Sequence, residues 1–208
     1  MSEHARPPAP LIAIDGPAGA GKSTVSRAVA ERLGLDRLDT GAMYRSVAWE
    51  ALRLGVDPTD QSSVTAIAKG ADIALDEGVT INGTDVTQAI RTPEVSRAVS
   101  IVAANPGVRR ELVTRQRRWA AQRHGGVVEG RDIGSVVFPH ATLKIYLTAS
   151  PEERARRRDD ESPDGVARRD RLDSTRQASP LTQPPDAHVL DTTGRSVEDV
   201  VEEVLSWL

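Results

Sequence analysis

Apolar residues along this chain alternate between two spacings. Leu11–Ile14 (LIAI) is a short continuous apolar run, the pattern of a strand buried on both faces. A glycine-rich turn follows. Val25, Ala28, Val29 and Leu33 then recur at helical spacing over Ser23–Leu33, with Gly34 in the stop position. Leu35–Asp39 predicts a second strand and Ala42–Leu54 a second helix. Ala71–Thr87 breaks the alternation, because short β-prone runs are separated by DEG and by Asn82-Gly83, a two-residue hairpin signal. That stretch predicts a small antiparallel meander. Thr92-Pro93 and Asn105-Pro106 each pair a capping residue with proline at the first helical position. They open two helices, the first with Val95, Val99 and Val102 on one face, the second running to about Gln122. GVVEG and TLKIYLTA read as two more buried strands, and AHVLD as a last one. Ser150-Pro151-Glu152-Glu153 has capping-box spacing at the head of an arginine-rich helix. Ser196–Asp199 opens a closing helix with Val197, Val200, Val201, Val204 and Leu205 as its stripe. Strands alternating with helices predict an α/β fold, a parallel sheet covered on both faces.

Composition narrows this picture. The chain has 208 residues and a formal net charge of −3, so any nucleic-acid footprint would have to be local. Lysine occurs only at Lys22, Lys69 and Lys144, and arginine supplies the rest of the 27 basic residues. Cysteine is absent, which excludes disulfides and thiolate metal sites and permits a reducing compartment. The polar, proline-rich start reads as a disordered tail over residues 1–9. The LIAI run is too short for a membrane span or a signal-peptide core, so a soluble cytoplasmic protein is expected.

Residues 16–23 read GPAGAGKS, a G-x-x-x-x-G-K-S loop between a strand and a helix. A dinucleotide-binding turn is the alternative, but Lys-Ser after the last glycine, in strand–loop–helix context, favours a phosphate-binding P-loop. The backbone of Gly16, Pro17, Ala18, Gly19, Ala20 and Gly21, with Ser23 and Thr24, forms the predicted ATP cradle, its N–H groups pointing inward. Lys22 reaches the β- and γ-phosphates and the Ser23 hydroxyl ligates Mg²⁺. No N-K-x-D segment reads guanine, and the chain is short for a motor. A small kinase is the leading class.

The acceptor is read from charge. A hydroxyl acceptor wants a positioned base, whereas a phosphate is already anionic at neutral pH and wants cations around it. The four histidines, at 4, 124, 140 and 188, sit in no catalytic context. Arginines do, in LDTGAMYR (38–45) and EGRDIG (129–134), both at strand ends, and in RRDRLDSTR (168–176).

These segments, with INGTDVTQAIRTPEVS, VVFP, KIYLTAS and SPL, resemble in order the bacterial cytidylate kinases, which make CDP or dCDP from ATP and CMP or dCMP. The resemblance implies a P-loop NTPase-type five-stranded parallel sheet with helices on both faces. It implies an ATP-binding core over 10–56 and 97–208, a CMP-binding antiparallel insert over 57–96, and a short helical lid at about 154–180. It implies that Arg45, Arg131 and Arg176 hold the CMP phosphate and that Ser100, Arg109 and Asp132 meet the cytosine. Arg169 and Asp173 would contact the sugar or the phosphates, with Thr40 near the substrate. Lys22, Arg131, Arg169 and Arg176 would be catalytic and Arg157 would touch ATP.

Blander roles remain open. Ser100 and Arg109 could be surface residues, and Asp132 could pair with Arg131. Asp39 tunes the metal or caps the next helix, while Arg154, Arg157 and Arg158 meet ATP or form a solvated face. Before RRDRLDSTR this chain has only the short polar DDESPDG, where many family members are longer. The expected partners are CMP and dCMP, with no nucleic acid, no membrane and a monomeric state. Another small P-loop kinase is the alternative. A nucleic-acid-binding module is a weaker one, because the arginine run lacks stacking aromatics.

Overall fold

A computed structural model describes residues 9–75, 78–157 and 182–208. In chain order, β1 (Leu11–Asp15) leads through the glycine-rich loop to α1 (Lys22–Leu33), β2 (Arg37–Asp39) and α2 (Thr40–Arg53). Next come α3 (Gln61–Gly70), the short strands β3 (Ile73–Ala74), β4 (Thr80–Ile81) and β5 (Thr84–Asp85), and a 3₁₀ turn (Ala89–Arg91). Then follow α4 (Pro93–Ala104), α5 (Pro106–Arg123), β6 (Gly126–Glu129), a π-helical turn (Ile133–Val137) and β7 (Leu143–Thr148). The chain closes with α6 (Pro151–Arg156), β8 (His188–Asp191) and α7 (Val197–Leu205).

The main sheet is parallel throughout, in the order β2-β6-β1-β7-β8. Its centre is apolar on both faces because both faces are covered. Ala13, Leu38 and Val128 pack with α2, α4 and α5, while Ile12, Ile14, Val127, Ile145 and Leu147 pack with α1 and α7. Ile12, Ala13 and Ile14 have no exposed surface. Each isoleucine contributes about 1.5–3 kcal/mol by burial. A carboxylate at Ile14 would be buried without a partner and would break the sheet at its middle. From β1 the chain runs to one side for β2 and later to the other for β7. The crevice at the carboxyl end of β1 is therefore a topological switch point, where α/β sheets bind ligands.

The second, antiparallel sheet, β3-β4-β5, turns at Asn82-Gly83, both in the left-handed region (φ 51° and 76°). It covers a small core of Ala42, Ala71, Val79, Ile81, Val86 and Ile90. α3, which has no counterpart in the sequence expectation, is bolted to α5 at both ends. The Asn105 amide donates to Gln61 O (2.9 Å) and accepts from Thr65 (3.2 Å). The Arg115 guanidinium donates to the last α3 carbonyls, Ala68 (3.0 Å) and Lys69 (3.1 Å), and to Ala71.

Two boundaries differ from expectation. β2 starts at Arg37 rather than Leu35, because Leu35 N–H donates to Ala30 O (2.9 Å) and closes α1 over left-handed Gly34. α2 starts at Thr40 rather than Ala42, because the Asp39 carboxylate accepts from Ala42 N–H (3.0 Å) and caps the helix. The tail over residues 1–8 and most of the anticipated lid lie outside the described residues. No helix among those described is long and apolar enough to cross a membrane.

Candidate active site

A cleft of about 930 Å³ opens at the carboxyl ends of β1, β2 and β6, between the glycine-rich loop, the head of α2 and the Glu129–Asp132 stretch. The loop has the backbone its glycines permit. Gly16 has φ 145°, and a Cβ there would lie 2.1 Å from Leu147 O. Gly19 has φ 77° against the Arg154 backbone, and left-handed Gly21 caps α1. The N-terminus of α1, with Lys22, Ser23 and Thr24, lines the cleft and turns its positive dipole end toward it. Lys22 Nζ donates to Pro17 O at 2.7 Å.

Arg154 and Arg157 hold the loop from outside. Arg154 donates to Ala18 O (3.4 Å) and Ala149 O (3.1 Å). Arg157 donates to Gly19 O (3.5 Å), to Thr192 Oγ1 (2.9 Å) and to Thr192 O (2.9 Å), and is paired with Glu153. Both are half-buried and bond carbonyls of the glycine-rich loop and of Ala149 and Thr192 rather than standing on a fully solvated face, and Arg157 also lines the cleft. Arg158 lies outside the described residues.

On the opposite wall, Arg45 donates to Ile90 O (2.8 Å) and Ser96 Oγ (3.0 Å), and Arg131 donates to Gly16 O (2.7 Å). Thr40 is buried, its hydroxyl donating to Glu129 O at 2.7 Å. Arg109 and Asp132 form a buried ion pair, and the Arg109 guanidinium carbon lies 6.0 Å from the Tyr44 ring centroid. Asp132 pairs with Arg109, and Arg131 donates to the loop carbonyl. Arg109 is no surface residue, since α5 turns it inward with Leu112 and Gln116. Ser100 is likewise buried on α4, next in sequence to the cleft-lining Val99, although it does not itself line the cleft. Asp39 both caps α2 and lines the cleft. The lid residues Arg169, Asp173 and Arg176 lie outside the described residues.

Two buried carboxylates complete the floor. Glu129 Oε1 accepts from Arg37 at 2.7 Å, while its Oε2 is buried without a hydrogen-bond partner. Burial, then the nearby Asp39 carboxylate, push this group up to about 7 against the pull of Lys22, Arg37 and Ser23. Asp15 accepts from the N–H groups of Ile133 and Gly134, each at 2.7 Å. Burial raises it to about 6 and Asp132 adds to the rise, while those two bonds and Lys22 oppose it.

The profile of the cytidylate kinase family matches residues 12–208. The chain belongs to the cytidylate kinase family. A cytidylate kinase of Solibacter usitatus (strain Ellin6076) is 50% identical over 210 residues, covering 94% of this chain and 90% of the relative. A bifunctional pantoate ligase/cytidylate kinase of Synechococcus sp. (strain WH7803) is 51% identical over 212 residues, 93% of this chain but 43% of the relative. The chain thus spans less than half the length of that bifunctional protein. An uncharacterized protein from Eubacterium ventriosum ATCC 27560 has a similar fold, with TM-score 0.53 at 9% identity, covering 96% of this chain and 98% of that one.

Two of these groups escape sequence reasoning. Asp15 reads as the polar end of a strand, and Glu129 as the last residue of another. The available signal was position: a lone acid closing an otherwise apolar strand, next to a P-loop in one case and before Gly-Arg-Asp in the other.

Proposed function

We propose that the protein transfers the γ-phosphoryl group of ATP to the phosphate of CMP and dCMP, giving CDP and dCDP, in pyrimidine nucleotide metabolism. The observation that carries this reading is the buried Arg109–Asp132 pair set in a P-loop cleft between Arg45 and Arg131. A carboxylate held there accepts from the exocyclic amine of cytosine and repels the carbonyl that uracil carries in its place. The paired guanidinium supplies donors for the neighbouring ring acceptors. Ser100 completes the base site through the family resemblance.

Arg45 and Arg131 fork onto the acceptor phosphate; through the family resemblance Arg176 joins them there, and Arg169 and Asp173 contact the sugar or the phosphates. Here the cations rest on backbone carbonyls: Lys22 on Pro17, Arg131 on Gly16, Arg45 on Ile90. Incoming phosphate oxygens replace those carbonyls with charge-assisted partners. No base is required. An anionic oxygen of CMP attacks the γ-phosphorus, the bond from that phosphorus to the β-bridging oxygen breaks, and ADP leaves with the electron pair. Lys22 and Arg131 stabilise the charge that spreads over the transferred oxygens.

The floor of the cleft suits a divalent metal. Oε2 of Glu129 is a buried oxygen without a partner, close to the Ser23 hydroxyl and to Asp39. No cluster of three or more metal-ligating side chains exists among the described residues. That fits Mg²⁺, which is held by one or two protein groups and completed by phosphate and water. Ser23 and Glu129 would hold it, and bound there it would neutralise β- and γ-phosphate charge. The proposal extends to a cytoplasmic monomer with residues 57–96 as the CMP-binding insert.

The test is ADP release measured across a panel of acceptors. Turnover with CMP and dCMP well above AMP, GMP, UMP and shikimate supports the reading. Equal or greater turnover with another acceptor refutes it and points to a different small kinase.

A further inference from the structure

Arg131 and Asp132 stand in a loop that is pinned on both sides to consecutive residues of β1. On one side Gly130 N–H donates to Ile14 O at 3.0 Å. On the other, both oxygens of the Asp15 carboxylate accept the consecutive N–H groups of Ile133 and Gly134, each at 2.7 Å. Only Arg131 and Asp132 hang between the pins. The flanking glycines sit close against their neighbours. A Cβ on Gly130 would lie 2.6 Å from Thr40 Oγ1, and one on Gly134 would lie 3.2 Å from the Lys144 side chain and 3.4 Å from Asp15.

Resting on the function proposed above, we infer that Asp15 is a positioning residue for the acceptor site: its carboxylate fixes Arg131 and Asp132 where they meet the nucleoside monophosphate. Asp15 touches neither nucleotide itself. It works through the backbone, by presenting one carboxylate oxygen to each of two successive donors. Keeping a carboxylate so deeply buried is unfavourable, and burial lifts its pKa to about 6. The two charge-assisted bonds retain it.

Asp15→Asn keeps the size and leaves one acceptor oxygen, so one N–H faces an amide N–H₂ instead. Losing a hydrogen bond to a charged group corresponds to roughly a tenfold to hundredfold effect. The expected result is a rise of about tenfold or more in KM for CMP, a comparable fall in the CMP-to-UMP ratio of kcat/KM, and a KM for ATP within about threefold of wild type. A purely structural role would lower kcat and melting temperature together, leaving KM and the ratio unmoved.

Gly134→Ala is the second variant. It retains Asp15 but places a methyl 3.2 Å from the Lys144 methylenes and 3.4 Å from the Asp15 carboxylate, so these must give by a few tenths of an ångström beside the two bonds, and KM for CMP should move in the same direction. If Asp15→Asn fails to fold by circular dichroism, Gly134→Ala decides. Wild-type protein that phosphorylates CMP, with KM for CMP and the ratio unchanged in the folded variants, overturns the clamp alone. Wild-type protein that does not phosphorylate CMP overturns the underlying reading and the clamp with it.

Discussion

Glu129 sets stability against activity, and Glu129→Gln exposes the conflict. Its carboxyl is almost wholly buried, has one partnered oxygen, and is raised from 4.5 to about 7. A carboxyl raised on folding favours the folded state below its unfolded value, and that contribution is lost as pH rises through the folded one. Stability from this group is therefore present below about 4.5 and lost across the window up to about 7. By pH 8 the ionised form costs about 3 kcal/mol, at 1.36 kcal/mol for each step of one in pKa. The amide still accepts from Arg37 but gives up the ionic part of that largely buried pair, so the net gain at pH 8 is about 1–3 kcal/mol. For a domain this size that is roughly 3–10 °C in melting temperature. At pH 5 the folded carboxyl is neutral and most of this cost is gone, so the two proteins should melt within about 3 °C of each other. The assay is thermal unfolding of the nucleotide-free protein and variant at pH 5 and pH 8. Phosphoryl transfer should fall at least about a hundredfold in the variant if Glu129 helps hold the metal. A melting difference that does not grow with pH refutes the account of Glu129 as a strained buried acid.

Lys22→Ala should lower kcat by at least about a hundredfold while melting within about 5 °C of wild type, because Lys22 lines the cleft and belongs to neither face of the apolar core; paired activity and melting curves check this. Asp132→Asn should reduce the CMP-to-UMP ratio of kcat/KM by about tenfold to a hundredfold. An unchanged ratio would remove Asp132 as the base reader. Gly19→Val should abolish ATP binding, measured by calorimetry, because φ 77° and the Arg154 backbone 2.6 Å from the new Cβ both exclude a side chain.

What was legible in the sequence was local. The glycine-rich loop is a contiguous code, since each glycine answers a backbone angle or a close approach within a few residues. Prolines 93 and 106 mark α4 and α5 because each fixes its own φ behind a capping side chain. α3 was missed although Asp60 caps it and Val64 and Ala68 face the core; its hold on the fold comes from Asn105 and Arg115, more than 40 residues away. The π-helical turn after Asp132 carries no propensity signal, because it is fixed by Asp15 from another strand. The base-site assignments of Arg109 and Asp132 rested on family resemblance. Their pairing depends on a helix and a loop 23 residues apart, which spacing alone does not reveal.

The most direct measurement of the central claim follows the transferred group itself. ATP labelled in its γ-phosphate is incubated with the protein, Mg²⁺ and CMP, and the products are separated. The account predicts the label in the β-phosphate of CDP, formed in step with ADP and dependent on Lys22. Label recovered only as inorganic phosphate, or CDP formed no faster than with Lys22→Ala, would contradict it.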